Sequence, residues 1–425
     1  MIALTLALCL AALPSVHQDK APKSIYEAGL ARPTGRNGYE EYLRAGKIVA
    51  SESYKAYARW MVELQGGETP KSVPAGMKAD ASILDARDAL RSRFGKALDL
   101  VRAGNAKPIF DPSTEADFTT LFDHLADFKS IARLGTGVAY SDFAHGRASV
   151  ANDLLLDLLQ FANGISGGNL ISFLVGIACE AIVTAVYARH IDRLSVSDLA
   201  KVGTWVEGRL GAPPTFLGAV ESELRGSVRA VEQIFTGTRA EIIDAFSATF
   251  GDEKTISDRL LKLSERDLRS VGKIAQSQIE RSIQEQLRFL RLSEANWISL
   301  PDEEPEPPIG DDSVGKIADE ISSSVIPLSA SVAKSAALRR TQLRLLRLHA
   351  LVLRYRWEHD RLPALLSDAV VKADLVDPIT GQAFQYEVRE GTYRLYSKGW
   401  AGSGEIELLY RRPLTADRSQ EIPGY

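Results

Sequence analysis

The stretch Asp377-Pro378-Ile379-Thr380-Gly381-Gln382-Ala383-Phe384-Gln385-Tyr386, followed by Tyr393-Arg394-Leu395-Tyr396-Ser397-Lys398-Gly399, contains the clearest local structural signal in the chain. Asp377-Pro378 predicts a tight turn, because proline fixes its own φ and an aspartate carboxylate accepts backbone N–H groups that follow it. Gly381 closes that turn at a position where a positive φ is needed.

The residues after the turn alternate between apolar and polar. Phe384, Tyr386 and Val388 recur at every second position, and Tyr393, Leu395 and Ser397 continue the pattern after a break at Glu390-Gly391. Alternation with this period is typical of strands, and a glycine between two such runs is typical of a hairpin. The sequence therefore predicts a small antiparallel hairpin with one aromatic face.

These motifs, in this order, resemble the globular head of the major pseudopilins of type II secretion and of pilin-like proteins generally. In that family a long helix leads into a turn, here Glu358 to Pro363, then to an Asp-Pro-x-x-Gly turn and a strand pair that ends in Tyr-Ser-x-Gly. The resemblance runs from the helix at Ala333 to a strand ending near Arg412. The residues that carry it as a structural motif are Asp377, Pro378, Gly381, Tyr396, Ser397, Gly399 and Trp400.

The resembled family binds calcium in the loop after this strand pair, usually through aspartates. Here that loop is Trp400-Ala401-Gly402-Ser403-Gly404, and the first carboxylate after it belongs to Glu405. Because calcium requires several carboxylate or carbonyl oxygens around one ion, the sequence predicts neither a metal nor a cofactor here. Trp400 is expected to fill the space of the ion, against Tyr396 or Trp357.

Composition limits the classes of function. The chain has 425 residues, 45% of them apolar, so it is long enough and apolar enough to form large cores. Its net charge of −4 shows no bias towards binding nucleic acid. Its two cysteines, Cys9 and Cys179, lie in separate apolar runs and predict neither a disulfide framework nor a metal cluster.

The N-terminus predicts export. Ile2 to Leu13 is an apolar run too short to span a bilayer and typical of the central part of a signal peptide. Residues 1–17 are therefore interpreted as a signal peptide, and the protein as extracytoplasmic, in the periplasm or cell envelope. The alternative is an ordinary first helix.

Residues 18–298 are predicted to form an all-helical domain. Ser113 to Leu134 shows a capping serine and apolar residues at helical spacing, Ser195 and Asp198 form a second capping box, and Ile279 to Leu290 carry a one-sided apolar stripe. Leu170 to Ala188 is nearly long enough to cross a membrane. Because Glu180 lies in its middle, we interpret it as a buried core helix with Glu180 paired or at a helix junction, and a membrane span is the alternative.

Residues 299–328 are predicted to be an acidic, proline-rich linker before a pseudopilin-like domain at 329–425. The helix Leu338 to Trp357 carries six arginines, which we expect to form a solvated face. The alternatives are contact with an anionic lipid surface, which gives peripheral membrane association, or with the acidic linker.

Two strings resemble catalytic motifs. Gly164 to Gly168 fits G-x-S-x-G around Ser166, but a helix precedes it where a nucleophile elbow needs a strand. Ser331 to Lys334 fits S-x-x-K, but neither S-D-N nor K-T-G accompanies it. Asp123, His124 and Asp127 place carboxylates near an imidazole, which we interpret as an ordinary surface helix. The sequence therefore predicts no catalytic residue.

The sequence as a whole predicts a mainly α protein: a large N-terminal helical domain followed by a small α+β pilin-like head. The expected function is a non-enzymatic, extracytoplasmic structural or interaction protein with protein partners in the cell envelope, associated with a secretion or envelope apparatus. The alternative is an envelope serine hydrolase or penicillin-interacting enzyme, with Ser166 or Ser331 as nucleophile.

Overall fold

The computed structural model describes residues 23–25, 33–67, 70–78, 80–115, 120–250, 254–300, 314–325, 330–389 and 391–408. The predicted signal peptide at 1–17, most of the acidic stretch at 299–312 and the predicted strand end near Arg412 lie outside these residues.

The fold is mainly α, with a small α+β head at its C-terminal end. The helices in chain order are α1 (Gly38–Val49), α2 (Glu52–Gln65), α3 (Ile83–Asn105), α4 (His124–Ala144), α5 (Ala148–Ile165), α6 (Leu170–His190), α7 (Val196–Gly211), α8 (Thr215–Ile234), α9 (Arg239–Phe250), α10 (Lys254–Leu260), α11 (Glu265–Leu292), α12 (Val314–Val325) and α13 (Ala330–His359). Short 3-10 turns occupy Pro112–Glu115, Ile191–Arg193, Glu294–Ile298, Leu366–Asp368 and Lys372–Asp374.

The strands are short. In the N-terminal part β1 (Lys23–Ser24) pairs in parallel with β2 (Thr120–Leu121). In the head β3 (Val376–Asp377) pairs with β4 (Gln382–Ala383), and β5 (Gln385–Arg389), β6 (Thr392–Ser397) and β7 (Ile406–Glu407) form an antiparallel sheet in that order. Tyr386 lies opposite Leu395 and Val388 opposite Tyr393, so the predicted hairpin is confirmed.

The predicted N-terminal cap of α7 and the predicted apolar stripe of α11 are both present. The Ser195 side chain accepts a hydrogen bond from the backbone N–H of Asp198 at the start of α7, as predicted. Leu199, Val202 and Val206 are buried along the same helix. The predicted stripe of α11, from Ile279 to Leu290, is also buried.

The helix predicted from Ser113 to Leu134 is wrong in its first half. Residues 112–115 form a 3-10 turn, β2 follows, and α4 begins only at His124, with Asp123 as its N-cap. Ser113 caps no helix, because its hydroxyl lies 3.1 Å from that of Ser172 in α6 and accepts from the backbone N–H of Asn169. A contact distant in sequence thus replaces the local one.

The described residues form two apolar cores, and α13 contributes to both. The first joins α1 to α7 with the middle of α13 and the inner face of the head, including Leu395 and Ile406. The second joins α8 to α12 with the N-terminal turns of α6 and α13. The predicted domains 18–298 and 329–425 therefore share buried surface, since α13 packs along α7 and also contacts α6.

Part of the predicted linker is helical. Within 299–328, residues Val314–Val325 form α12, which packs against α11. Ile317, Ala318 and Ile321 are fully buried in that contact. Only the part of 299–328 outside α12 therefore remains as a predicted linker.

Helix α6 and the 3-10 turn after it, Leu170–Arg193, form the one segment among the described residues that is long and apolar enough to cross a membrane. Here α6 packs against α4, α5, α8 and α13, and just over half of its most apolar window is buried. Glu180 is paired inside this packing with Arg339. These contacts fit the expected core helix with a paired glutamate.

Candidate functional site in the head and along its helix

The Asp-Pro turn and the end of β6 are tied together by one buried carboxylate. Asp377 is 1% exposed; its Oδ1 accepts from the backbone N–H of Ile379 at 3.0 Å and its Oδ2 accepts from the Ser397 hydroxyl at 2.7 Å. The Ser397 hydroxyl in turn accepts from the backbone N–H of Gly399 at 3.1 Å. This series of hydrogen bonds connects the Asp-Pro motif to the Tyr-Ser-x-Gly motif and explains why the two occur together.

Gly381 and Gly399 of the motif both have a positive φ, which the sequence predicts for Gly381. Gly381 has φ +67° and donates its N–H to the Asp377 carbonyl at 2.8 Å, which closes the turn, while Pro378 is exposed on its outer side. Gly399 also has φ +67°, and a Cβ there would lie 2.0 Å from the carbonyl oxygen of Gly404. Gly399 is therefore required by both conformation and space.

The loop that follows is closed by a serine. The Ser403 hydroxyl accepts from the Trp400 backbone N–H at 2.8 Å, and the Ser403 N–H donates to the Trp400 carbonyl at 3.0 Å. The Trp400 side chain is partly buried and packs against both apolar cores. In the described part of the chain no group of three or more His, Cys, Asp or Glu side chains lies close enough to hold a metal ion.

The outer face of the sheet carries an ion network. Arg394 on β6 pairs with Glu407 and Glu405, and its guanidinium lies 4.0 Å from the ring centre of Tyr396. The Tyr396 hydroxyl donates to Glu387 at 3.1 Å, and this hydrogen bond raises its pKa. Glu405 and Glu407 thus pair with the Arg394 guanidinium on this face, while Ile406 and Leu408 are buried.

The inner side of the head is joined to α13 by an imidazole. Nδ1 of His349 lies 2.8 Å from the Tyr393 hydroxyl, and burial lowers the His349 pKa to about 4. The imidazole is therefore neutral at pH 7 and shares one hydrogen bond with the Tyr393 hydroxyl. This bond fixes β6 over the middle of α13.

The expectation of a solvated arginine face on α13 is wrong for four of its arginines. Arg339 pairs with Glu180, Arg340 and Arg344 both pair with Glu294, and Arg347 pairs with Asp374. All four side chains are largely buried because α6, α7 and the turn Glu294–Ile298 cover this part of the helix. Arg354 is exposed, near the end of α13.

The expectation of a surface helix at His124 is also wrong. His124 is 2% exposed, its Nε2 lies 2.8 Å from the Tyr39 hydroxyl, and burial lowers its pKa to about 4. Asp111 is buried close to Tyr39, and burial raises its pKa to about 6. Because Tyr39 is distant in sequence, the short Asp-His spacing gave no signal of this buried cluster. The cluster joins α1, α4 and the segment just before the 3-10 turn Pro112–Glu115.

The two serines of the enzyme-like strings lie in different settings. Ser166 is buried at the C-terminal end of α5 and its hydroxyl donates to the Ala162 carbonyl at 2.7 Å. A Cβ at Gly176 of α6 would lie 2.0 Å from that hydroxyl, so the serine is covered by a neighbouring helix. As predicted, a helix precedes this serine, and Ser166 lies in the turn between α5 and α6. Ser331 is exposed in the first turn of α13.

A shallow groove lies where the start of α7 meets the end of α13. It is lined by Ser195, Val196, Ser197, Ala200, Arg354, Trp357 and Glu358. Trp357 is 57% exposed there, and Arg354 forms an ion pair with Glu358 at 2.8 Å. The sequence analysis did not single out this surface, because its two sides are far apart in the chain.

No family model, no curated protein and no solved structure matches this chain.

Proposed function

We propose that the protein is a non-enzymatic interaction protein of the cell envelope, working outside the cytoplasm, and that it binds a protein partner at the groove between α7 and α13. The observation that carries the proposal is the exposure of Trp357 beside this groove. Tryptophan is one of the residue types that contribute most to binding at protein interfaces. The Trp357 side chain is largely exposed to solvent and therefore accessible to a partner.

The groove chemistry favours a protein over an anionic partner. Val196, Ala200 and the Trp357 ring supply apolar surface, and the Ser195 and Ser197 hydroxyls supply polar groups. Its one charged pair, Arg354 with Glu358, is neutral overall. Binding to a nucleic acid or to an anionic lipid surface requires an excess of positive charge, which these lining residues lack.

The resemblance to pseudopilin heads supports an envelope setting, and the packing of α13 supports an adaptor rather than a fibre subunit. In the resembled family the long helix packs within the fibre. Here the N-terminal half of the corresponding helix is covered by α6, α7 and the turn Glu294–Ile298. The helical body therefore covers helix surface that a fibre contact would need.

The proposal is tested in the cells that make the protein. A photo-crosslinking amino acid replaces Trp357 in the full chain, and in a matched variant it replaces Val62 of α2, which is 67% exposed. We expect a discrete envelope protein to be crosslinked from position 357 and not from position 62. Equal patterns from both positions, or none from 357, would contradict the proposal.

The enzymatic alternative is tested separately with a fluorophosphonate probe and a labelled penicillin. We expect neither to label the protein. Labelling that Ser331→Ala or Ser166→Ala removes would establish a nucleophile and overturn the non-enzymatic part of the proposal, whatever the crosslinking shows.

A further inference from the structure

The interior between α6, α7, α13 and the turn Glu294–Ile298 contains more positive than negative charge. Four arginines from two helices enter it: Arg209, Arg339, Arg340 and Arg344. Among the described residues, Glu180 pairs with Arg339, and Glu294 pairs with both Arg340 and Arg344. The same two carboxylates act electrostatically on Arg340, and Glu180 acts on Arg209. We call these four arginines the arginine cluster.

The imbalance remains after the nearby backbone is counted. The Leu210 carbonyl, at the C-terminal end of α7, accepts from Arg340 Nη2 at 2.9 Å. A helix C-terminus supplies about half a negative charge, which is less than the excess. Burial lowers the pKa of Arg209 and of Arg340, and the Arg209–Arg340 and Arg340–Arg344 repulsions act in the same direction. A buried charge without a counter-charge is strongly unfavourable.

The cluster also has spare donors. Arg209 Nε, Arg339 Nε and Arg344 Nη1 are buried, and none of these three atoms has a hydrogen-bond acceptor within the described structure. Arg339 as a whole is more than nine-tenths buried. Buried donors are nearly always satisfied, so orphan donors indicate a bound water or ion. The excess of positive charge selects an anion.

A route from solvent exists at the end of α7. Arg209 is partly exposed beside the exposed residues 211–213, and its Nη2 donates to Thr215 Oγ1 at 2.9 Å. Thr215 begins α8, a 20-residue helix whose N-cap, Pro214, makes no side-chain capping bond. The first N–H groups of α8 therefore add donors and positive potential at this entrance.

We propose that the arginine cluster binds one small inorganic oxyanion of the phosphate or sulfate type. Several guanidinium groups offer planar pairs of N–H donors, which match the oxygens of such an ion better than they match a halide. The bound anion neutralises the excess charge between α7 and α13 and strengthens the contact that holds the head on the helical body.

The test measures binding of labelled inorganic phosphate to the full chain by equilibrium dialysis, with thermal unfolding followed in parallel. We expect saturable binding of about one phosphate, displaced by sulfate, together with a rise in melting temperature as occupancy grows. Sodium chloride at the same ionic strength should give neither. Binding that never saturates would show non-specific screening and overturn the proposal.

Arg209→Gln should abolish saturable binding and the phosphate-dependent rise, and because Arg209 is partly exposed we expect this variant to fold. Arg281→Gln, at an exposed position of α11, is the matched control and should bind normally. If Arg209→Gln unfolds, Arg209→Lys keeps the charge without the planar donors and should bind more weakly. Unchanged binding in a folded Arg209 variant would place the anion elsewhere. A Trp357→Ala variant should bind phosphate normally, which separates this test from that of the proposed function.

Discussion

The Nη2 atom of Arg339 in α13 lies 3.0 Å from the Oε1 atom of Glu180 in α6, and the side chains are 9% and 6% exposed. Arg339 also donates to Thr184 of the same helix at 3.3 Å. This pair joins the most apolar helix of the chain to the helix that carries the head. It satisfies the one carboxylate of α6 inside the protein.

Glu180→Gln is expected to cost more stability than Arg339→Gln. Removing one partner of a buried pair costs about 3–5 kcal/mol, because the other charge stays buried. When Arg339 is lost, Glu180 still lies near two other positive charges, those of Arg209 and Arg340. When Glu180 is lost, these two arginines and Arg339 all lose a nearby carboxylate, so more buried charge is left uncompensated. Urea unfolding at neutral pH measures both. The reverse order would contradict this account, and Arg354→Gln, which breaks an exposed pair, should cost less than about 1 kcal/mol.

Gly399→Ala is expected to disrupt the head far more than Gly391→Ala. Both glycines have positive φ, +67° and +78°, so each substitution carries a similar backbone cost of about 1–2 kcal/mol. A Cβ at position 399 also meets the Gly404 carbonyl at 2.0 Å, whereas a Cβ at position 391 meets nothing within 4 Å. Proteolytic susceptibility of the head, with melting temperature, measures the difference. Equal effects would show that the loop yields to the methyl group.

Stability is expected to fall as the pH drops below about 6.5. The folded-state pKa of His349 is about 4 against an ordinary 6.5, so in this window the unfolded chain binds a proton that the folded chain does not. His124 acts in the same direction. Asp111 acts in the opposite one: its pKa is raised to about 6 from 3.8, so its contribution is present below 3.8 and is lost as the pH rises through 6.

The test is urea unfolding between pH 7.5 and 4. His349→Gln should reduce the loss of stability over this range, since the glutamine amide can hydrogen-bond Tyr393 in either direction and does not titrate. His359→Gln, at the exposed end of the same helix, should leave the loss unchanged. An identical slope for His349→Gln and the parent chain would remove His349 as a cause.

Limited proteolysis is expected to cut between Ser299 and Val314, where prolines and carboxylates predominate. The two fragments should stay together on gel filtration, because α12 packs against α11 and α13 packs against α7. Fragments that separate without denaturant would show that 18–298 and 329–425 are independent folding units. Early cuts within α6 would contradict the core-helix assignment.

The head is expected to melt at the same temperature in millimolar calcium and in chelator, because the loop from Trp400 to Gly404 contains no carboxylate. Trp400→Ala should destabilise the protein by about 2 kcal/mol, less than for a fully buried tryptophan, because the side chain is only partly buried. The readout is thermal unfolding of the full chain. A calcium-dependent rise in melting temperature would give this loop the metal role of the resembled family, and a neutral Trp400→Ala would show that the ring does not support it.

The sequence by itself determined the local elements of this protein. The Ser195–Asp198 cap, the apolar stripe of α11 and the hairpin from Gln385 to Ser397 depend on spacings of two to four residues. Side chains at such spacings meet whatever the rest of the chain does. The fold class follows from adding these elements.

Only the tertiary structure decided which charges are buried. Arg339 finds Glu180 159 residues away in the sequence, and His124 finds Tyr39 85 residues away. From sequence alone, a row of arginines predicts a solvated face, because burying an unpaired charge is strongly unfavourable. The partner that removes this cost lies on another helix, so spacing along α13 cannot reveal it.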